Sequence, residues 1–239
     1  MATLTAAEPA PAGSVRGLAT LARMTNLASS ILSRPRRLAA AGAVVVLALA
    51  PAAMASNTQS ANQATCKGSK AGAPGFAVGD SVLDAVNYSG GKVYLQGFLG
   101  GQKAISDGDV NRQFAEGASL IRGYLAKNPR ACAVVVAIGT NGPVRPTEWD
   151  GLMRSLSKVP RVVVVNTYTK NYRSEQSWMP QMNSDIAALQ RKFKNVRVAD
   201  WYKVAQGLGS SDLPDGVHPD SVTAAKVWVN TVVSALNRK

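Results

Sequence analysis

The sequence predicts an α/β fold, a three-layer α/β/α sandwich around a mainly parallel sheet of five strands. Residues 132–138 and 161–166 are short runs rich in β-branched side chains without polar alternation, and residues 196–199 form a further short strand-like run. Parallel strands that helices cover on both faces have this composition. Segments with helical spacing separate the runs. Such strand–helix alternation builds a parallel sheet through right-handed crossovers.

The remaining elements follow from local patterns. A first strand is predicted over residues 75–79, and a second over 92–96, after the break at Gly90 and Gly91. Apolar residues at helical spacing predict helices over residues 110–127, 147–157 and 178–193, and a last helix after Pro219 and Asp220. In sheets of this type, binding sites lie at the carboxyl ends of the strands.

Residues 1–55 differ in character from the rest of the chain. Three arginines at positions 34, 36 and 37 precede an uncharged apolar run over residues 38–54, which closes with the small residues Ala53 and Ala55. This order is typical of a secretory signal peptide. An uncleaved anchor is the alternative, but Pro51 and the small residues favour cleavage. We therefore expect residues 1–55 to be a signal segment, 56–70 a polar tether and 71–239 the single folded domain.

The chain is strongly basic. It carries 27 Lys and Arg against 14 Asp and Glu, a net charge of +13. Residues 56–239 keep a surplus of nine positive charges, which favours anionic partners such as wall polymers or lipid headgroups. A role in solubility alone explains the charge equally well. No basic run is interleaved with aromatic residues, so nucleic acid is not an expected partner.

The only two cysteines are Cys66 and Cys132. In an oxidising compartment such a pair is expected to form a disulfide, and two unrelated buried thiols are the alternative. Their spacing suits neither a metal site nor a CxxC redox pair. The third predicted strand begins at Cys132, so the bridge is expected at the sheet edge opposite the active site.

The single histidine lies in a pattern suited to serine chemistry. His218 follows Asp215 by three residues, and Ser81 directly follows the first predicted strand in Gly-Asp-Ser-Val. Nucleophilic catalysis by serine needs a base that exchanges a proton near neutral pH, as imidazole does. The spacing lets the Asp215 carboxylate reach one ring nitrogen and leaves the other for Ser81. Since Asp-x-x-His alone recurs by chance, the prediction depends on companion motifs.

One companion motif, Gly139-Thr140-Asn141, follows the third strand, where the Asn141 amide is a neutral donor. With Gly79-Asp80-Ser81, a downstream glycine and Asp215-x-x-His218, it resembles the four blocks of the SGNH (GDSL) hydrolase family, in their usual order. The resemblance runs from residue 75 to the C-terminus and implies a flavodoxin-like fold. Further details resemble the SGNH domains of peptidoglycan O-acetyltransferases and related surface-polysaccharide acyltransferases: residues 138–142, Arg173, Trp178 followed by Asn183, Asp200-Trp201 and residues 215–219.

The resemblance implies a role for each matched residue. Ser81 would be the nucleophile, His218 the base and Asp215 the carboxylate that orients it. The oxyanion hole would consist of the Ser81 backbone N–H, the backbone N–H of a glycine and the Asn141 side chain. Arg173 and Trp178 would line the substrate cleft, with packing as the alternative. No metal and no cofactor are implied.

The glycine of the oxyanion hole is the weakest match. Relatives often show Gly-Arg-Gln, and this chain has Gly100-Gly101-Gln102. We expect Gly101 to take this position, with Gly100 and Gly97 as alternatives, because the backbone must approach the acyl oxygen without an intervening Cβ. Asp80 is expected to serve a structural hydrogen-bonding role rather than a catalytic one.

The sequence thus predicts an exported serine esterase or O-acyltransferase that forms an acyl-Ser81 intermediate. Its substrates would be acyl esters, expected to be acetyl esters, of a cell-envelope glycan. A secreted lipase or thioesterase of the same fold and a non-catalytic wall-binding module are the alternatives. Expected partners are the ester substrate, an anionic cell-wall glycan and a separate membrane protein that donates acyl groups. We expect a monomer that is extracellular, wall-associated or periplasmic.

Overall fold

A computed structural model of the protein describes residues 74–238. Five strands, eight α-helices and one short π-helix (Asn87–Gly91) are assigned within this range. The strands are β1 (Phe76–Gly79), β2 (Ile105–Gly108), β3 (Val134–Ala137), β4 (Val162–Val165) and β5 (Val196–Ala199). The helices are α1 (Ser81–Val86), α2 (Lys92–Phe98), α3 (Phe114–Lys127), α4 (Pro146–Ser155), α5 (Tyr172–Glu175), α6 (Met179–Lys192), α7 (Trp201–Ala205) and α8 (Val222–Leu236).

The five strands form one sheet in the order β2-β1-β3-β4-β5, and every pair is parallel. In register, Gly79 at the end of β1 pairs with Gly108 of β2 and with Ala137 of β3. The loops that follow β1, β2 and β3 therefore leave the same edge of the sheet side by side. The predicted fold class is confirmed.

Helices cover both faces of the sheet, because both faces are apolar. Alternate strand residues point to opposite sides, so that Ala77, Val135 and Val163 pack with α1, α2, α7 and α8. Their neighbours, such as Val78 and Val136, pack with α3, α4 and α6. Each cluster contains large buried side chains, among them Trp228 on the first side and Trp149 on the second. The protein is thus a three-layer sandwich.

The second predicted strand is wrong. Residues 92–96 lie in helix α2, and the second strand is β2 at residues 105–108. Val93 and Tyr94 are exposed and Leu95 is buried, so only one of the three apolar residues of this segment reflects burial. Gly90 adopts a φ of 86° and kinks the chain between α1 and α2 rather than ending a helix. The sequence of β2, Ile-Ser-Asp-Gly, lacks an apolar run because β2 is an edge strand with one neighbour.

The other predicted strands and the four predicted helices are present, with one shift that affects the site. The predicted helix at 110–127 begins only at Phe114, so residues 109–113 form a turn after β2. The short helices α5 and α7 were not predicted.

The predicted signal segment (1–55), the tether (56–70) and Cys66 all lie outside the described residues. Cys132 is buried just before β3, and its bridge to Cys66 stays a prediction. Within residues 74–238, no helix combines the length and the apolar character needed to cross a membrane.

Candidate active site

Ser81 occupies the sharp turn between β1 and α1. Gly79 permits this turn, since a Cβ there would lie 2.4 Å from the Cβ of Leu83 and 2.9 Å from the carbonyl oxygen of Ala137. Asp80 is the N-cap of α1, and its carboxylate accepts a hydrogen bond from the Val82 N–H. As the first residue of α1, Ser81 has a backbone N–H without an acceptor inside the helix. That N–H is thus available to an anion at the helix N-terminus.

The structure brings Ser81, His218 and Asp215 together. The Nε2 atom of His218 lies 2.8 Å from Ser81 Oγ, and its Nδ1 atom lies 2.5 Å from Asp215 Oδ2. An ionised carboxylate only accepts hydrogen bonds, so Nδ1 carries the proton. Nε2 is then the acceptor for the Ser81 hydroxyl, which is the arrangement of a serine nucleophile and its base.

The loop before α8 holds Asp215 in place. The second oxygen of its carboxylate, Oδ1, accepts hydrogen bonds from the backbone N–H groups of Val217 and His218, both at 2.9 Å. Burial raises the pKa of Asp215, but the hydrogen bonds from the His218 ring and these N–H groups outweigh burial and leave the pKa below its usual value. Asp215 is therefore ionised over the range in which it must orient the imidazole.

Asp80 connects the nucleophile turn to the loop after β3. Its side chain is fully buried, and its Oδ2 atom accepts hydrogen bonds from the N–H groups of Gly139 at 3.0 Å and Thr140 at 2.9 Å. Burial raises the pKa of Asp80, and the backbone hydrogen bonds from Thr140, Val82 and Gly139 oppose that rise. These hydrogen bonds agree with the structural role expected for Asp80, because they connect the loop that carries Asn141 to the turn that carries Ser81.

Arg112 forms a second link between these loops. Its side chain is 4% exposed and donates hydrogen bonds to the carbonyl oxygen of Gly79, to that of Asp107 and to the Asp107 carboxylate. The Tyr124 hydroxyl donates to the other oxygen of the same carboxylate. The backbone oxygen of Arg112 in turn accepts a hydrogen bond from Asn141 Nδ2 at 3.1 Å. An amide nitrogen has two hydrogens, so one remains for a substrate.

The structure does not bring Gly101 to this site. Gly101 precedes β2 and so lies towards the amino edge of the sheet, and its N–H donates to the carbonyl oxygen of Gln96 at the end of α2. Gly100 and Gly97 belong to the same end of α2. The expectation of an oxyanion donor here was wrong, because Gly100-Gly101-Gln102 lies at the amino edge of the sheet while Ser81 lies at the carboxyl edge.

The turn after β2 supplies a residue that the sequence reasoning missed. Asn111 lines the same pocket as Ser81, Asn141 and His218. Its φ is 61°, the left-handed region, which asparagine tolerates better than most residues with a side chain. Gly108 brings this turn against α1, since a Cβ there would lie 2.3 Å from the Asp84 nitrogen. Asn111 thus borders the pocket from the turn after β2, and its backbone N–H is a candidate for the oxyanion donor expected from a glycine.

A signal for Asn111 was present in the sequence. Asn111-Arg112-Gln113 matches the Gly-Arg-Gln pattern at two of its three positions, whereas Gly100-Gly101-Gln102 lacks the arginine. Arg112 is the informative residue of this pattern, because its buried side chain donates hydrogen bonds to the carbonyl oxygens of Gly79 and Asp107.

The pocket above Ser81 has a volume of about 530 Å³. The residues that line it come from α1 and the kink after it, the turn after β2, the loop after β3 and the loop before α8: Ser81, Asp84, Ala85, Tyr88, Val110, Asn111, Asn141, Asp215, His218 and Asp220. Arg173 and Trp178 are not among them. Arg173 is an exposed residue of α5, and Trp178 packs half-buried against the core.

Within residues 74–238, no group of three or more His, Cys, Asp or Glu side chains could hold a metal ion.

Curated relatives of the chain are O-acetyltransferases. The chain is 28% identical over 162 residues to peptidoglycan O-acetyltransferase OatA of Listeria monocytogenes, which is 68% of this chain and 24% of that protein. It is 30% identical over 143 residues to the putative peptidoglycan O-acetyltransferase YrhL of Bacillus subtilis, 60% of this chain and 20% of that protein. The chain thus spans about a quarter or less of the relatives' length. No family model matches it.

Solved structures share the fold. The C-terminal catalytic domain of OatA from Streptococcus pneumoniae, solved with a methylsulfonyl adduct, has a TM-score of 0.56 and 23% identity, over 68% of this chain and 92% of that chain. A member of the lipolytic G-D-S-L family from Veillonella parvula has a TM-score of 0.55 and 14% identity, over 69% and 98%. On these matches, the chain contains a domain with the SGNH/GDSL-like fold, which is similar in sequence to peptidoglycan O-acetyltransferases and in fold to the catalytic domain of OatA.

Proposed function

We propose that the domain is a serine esterase or O-acyltransferase that forms an acyl-Ser81 intermediate. The observation that carries this proposal is the contact of 2.8 Å between Ser81 Oγ and His218 Nε2, in a ring whose other nitrogen faces Asp215. In this arrangement the imidazole can take the hydroxyl proton as the oxygen attacks. The open pocket above Ser81 gives an ester access to that oxygen.

The first half of the reaction forms the acyl-enzyme. Ser81 Oγ attacks the ester carbonyl carbon while its proton moves to His218 Nε2, and the carbonyl oxygen becomes an oxyanion. As the intermediate collapses, the bond to the alcohol oxygen breaks and His218 returns the proton to that oxygen. In the second half, water or a sugar hydroxyl attacks the acyl carbon of acyl-Ser81 while its proton moves to His218 Nε2. The bond from the acyl carbon to Ser81 Oγ then breaks, His218 returns the proton to Oγ, and the acyl group leaves on the attacking oxygen.

Three donors would stabilise the oxyanion: the backbone N–H groups of Ser81 and Asn111, and the side chain of Asn141. The positive end of α1 adds to the Ser81 contribution. Pre-aligned donors of this kind account for much of the rate enhancement in acyl transfer. Asp80 and Arg112 would act as positioning residues, because their hydrogen bonds hold the loops that carry these donors.

The proposed substrate is an acetyl ester of a cell-envelope glycan, and the proposed location is outside the cytoplasmic membrane. The names of the curated relatives and the signal-like sequence of residues 1–55 support both points. If the domain is a transferase, a membrane protein that donates acyl groups is its proposed partner. The surplus of positive charge would let the surface associate with an anionic wall glycan.

The test follows acetyl groups on the purified mature protein. It is incubated with para-nitrophenyl acetate, with and without wall oligosaccharides, and the products and the protein are analysed by mass spectrometry. We expect an acetylated Ser81 peptide and release of nitrophenol, both absent in folded Ser81→Ala. Acetylated oligosaccharide would identify a transferase, and free acetate alone a hydrolase. Unchanged turnover in Ser81→Ala would overturn the proposal.

Ser81, His218 and Asp215 should act as one catalytic unit. Ser81→Ala, His218→Ala and Asp215→Asn are each expected to remove most activity, and a double variant should lose little more than a single one. Multiplicative losses in the double variants would indicate that the three residues contribute independently.

A further inference from the structure

We infer that Asp84 and Asp220 make the pocket selective for esters whose alcohol part bears a positive charge, and that they disfavour anionic ones. This inference rests on the proposed function, since it concerns the group bonded to the acyl ester at Ser81. An amino sugar with a free ammonium group is an alcohol of this class.

The charge of the pocket is opposite to that of the whole chain. Three aspartates line the pocket, and none of its lining residues is lysine or arginine, although the chain carries a net charge of +13. Asp215 is engaged by His218. Within the described residues, neither Asp84 nor Asp220 takes part in an ion pair. The pocket therefore presents two uncompensated carboxylates to whatever alcohol occupies it.

Helix geometry places one of these carboxylates in line with the nucleophile. Ser81, Asp84, Ala85 and Tyr88 are spaced at i, i+3, i+4 and i+7, which is one face of a helix. That face borders the pocket, even though the chain kinks after Val86. Asp220 borders the pocket from the loop after His218. A group that extends from an acyl ester at Ser81 thus has carboxylates on two elements of the pocket wall.

An exposed aromatic side chain adds a second kind of contact for a cation. Tyr88 is 89% exposed and borders the pocket, and Val110, which is 68% exposed, borders it from the turn after β2. A tyrosine ring attracts ammonium groups through its π face, and it also packs against apolar surfaces of a ligand. One aromatic ring together with two free carboxylates suits an ammonium-bearing alcohol. The same carboxylates repel phosphate and carboxylate groups.

This inference refines the expectation drawn from net charge. The basic outer surface can still attract an anionic polymer over long range. The ester that reacts at Ser81 would nevertheless belong to a cationic or neutral unit. The basic surface would therefore attract anionic polymers of the envelope, and the acidic pocket would select the cationic or neutral unit that carries the ester.

The experiment uses three thioesters of similar size: acetylthiocholine, its carbon isostere with a quaternary carbon in place of nitrogen, and S-acetyl mercaptopropionate. Thiol release gives kcat/KM for each. At low salt we expect the cationic ester to exceed its neutral isostere by roughly three- to tenfold and the anionic ester to be the poorest, with the differences shrinking as salt rises. Para-nitrophenyl acetate serves as a neutral reference in the same assay.

The variant Asp84→Asn/Asp220→Asn should reduce the ratio of cationic to neutral kcat/KM towards one. Asp185→Asn, which removes a carboxylate of α6 outside the pocket, should keep the wild-type ratio. The salt dependence of the wild-type ratio tests the inference even if the double variant does not fold. A wild-type ratio near one, or turnover of the reference ester without the thioesters, would overturn the inference and leave the proposed function intact. If the wild type turned over none of these esters, both the inference and the proposed function would be overturned.

Discussion

The Oδ2 atom of Asp80 lies 2.9 Å from the backbone nitrogen of Thr140. This buried contact joins the residue before Ser81 to the residue before Asn141. It spans the two central strands, because β1 and β3 are neighbours. The distance between Ser81 and Asn141 is thus maintained by a side chain that touches neither the hydroxyl nor the pocket.

Asp80→Asn should lower kcat by roughly 10- to 100-fold, because small misplacements of catalytic groups have effects of that size. The amide NH₂ cannot accept a hydrogen bond, so at least one of the N–H groups of Val82, Gly139 and Thr140 loses its acceptor. Steady-state kinetics with para-nitrophenyl acetate gives kcat and KM separately. A rise in KM alone would show that the Asn141 loop keeps its position without the carboxylate.

The buried carboxylate of Asp80 should also affect stability as a function of pH. Its pKa is raised above the ordinary 3.8 by burial, so the folded state binds the proton more tightly than the unfolded chain. The corresponding stability is fully present below 3.8 and is lost as pH rises through the raised pKa. The free energy of unfolding of the wild type, minus that of Asp80→Asn, should thus fall from acidic to neutral pH. Urea unfolding at several pH values measures this difference, and a constant or growing difference would contradict it.

The left-handed backbone of Asn111 predicts a graded series of substitutions. Asn111→Gly should retain kcat within about threefold, because glycine adopts positive φ without strain. Asn111→Val should lower kcat by at least about tenfold, since a β-branched residue is strained at a φ of 61° and would redirect the N–H. Equal activity in both variants would exclude a role for this backbone donor, provided that thermal melting shows both to be folded.

Asn141→Ala should lower kcat by roughly 10²- to 10³-fold with little change in KM, as expected for loss of one oxyanion donor. Asn141→Asp is a useful companion, because it keeps the shape of the side chain but sets a negative charge beside the oxyanion. We expect it to be no more active than the alanine variant. An effect confined to KM would make Asn141 a substrate-binding residue instead.

The predicted bridge between Cys66 and Cys132 should affect stability but not catalysis. Cys132 lies before β3, at the edge of the sheet opposite Ser81. A disulfide that closes this loop would contribute about 4 kcal/mol in the chain-entropy model. Replacing both cysteines with serine should lower Tm and leave kcat unchanged. Two titratable thiols in the native, non-reduced protein would disprove the bridge.

Much of the fold could be predicted because strands that are buried on both faces consist of uninterrupted apolar residues. The valine runs of β3 and β4 are covered on both faces, so no polar residue interrupts them. Ser81, Asp215 and His218 were also identifiable, because their chemistry requires particular residue types in the loops after strands or before the last helix. In these cases the neighbouring sequence alone was enough to identify the residue.

The edge strand and the turn after it were decided by tertiary structure. Ile105–Gly108 becomes a strand because β1 offers it hydrogen bonds, and not because its side chains favour that state. Val93 and Tyr94 look like strand residues but remain on the surface of α2. Once β2 is correctly placed, the carboxyl edge of the sheet receives Asn111 rather than Gly101.

By itself, the sequence determined the α/β class and singled out Ser81, Asp215 and His218 as candidate site residues, since hydrophobic patterning and reactive side chains are properties of the residues themselves. The tertiary structure decided which turn lies beside Ser81 and which charged side chains border the pocket. Asp84, Asn111 and Asp220 meet in one pocket only because separate elements converge at the carboxyl edge of the sheet. Proximity between residues far apart in the chain depends on packing, and the chain's overall positive charge gave no sign of an acidic pocket.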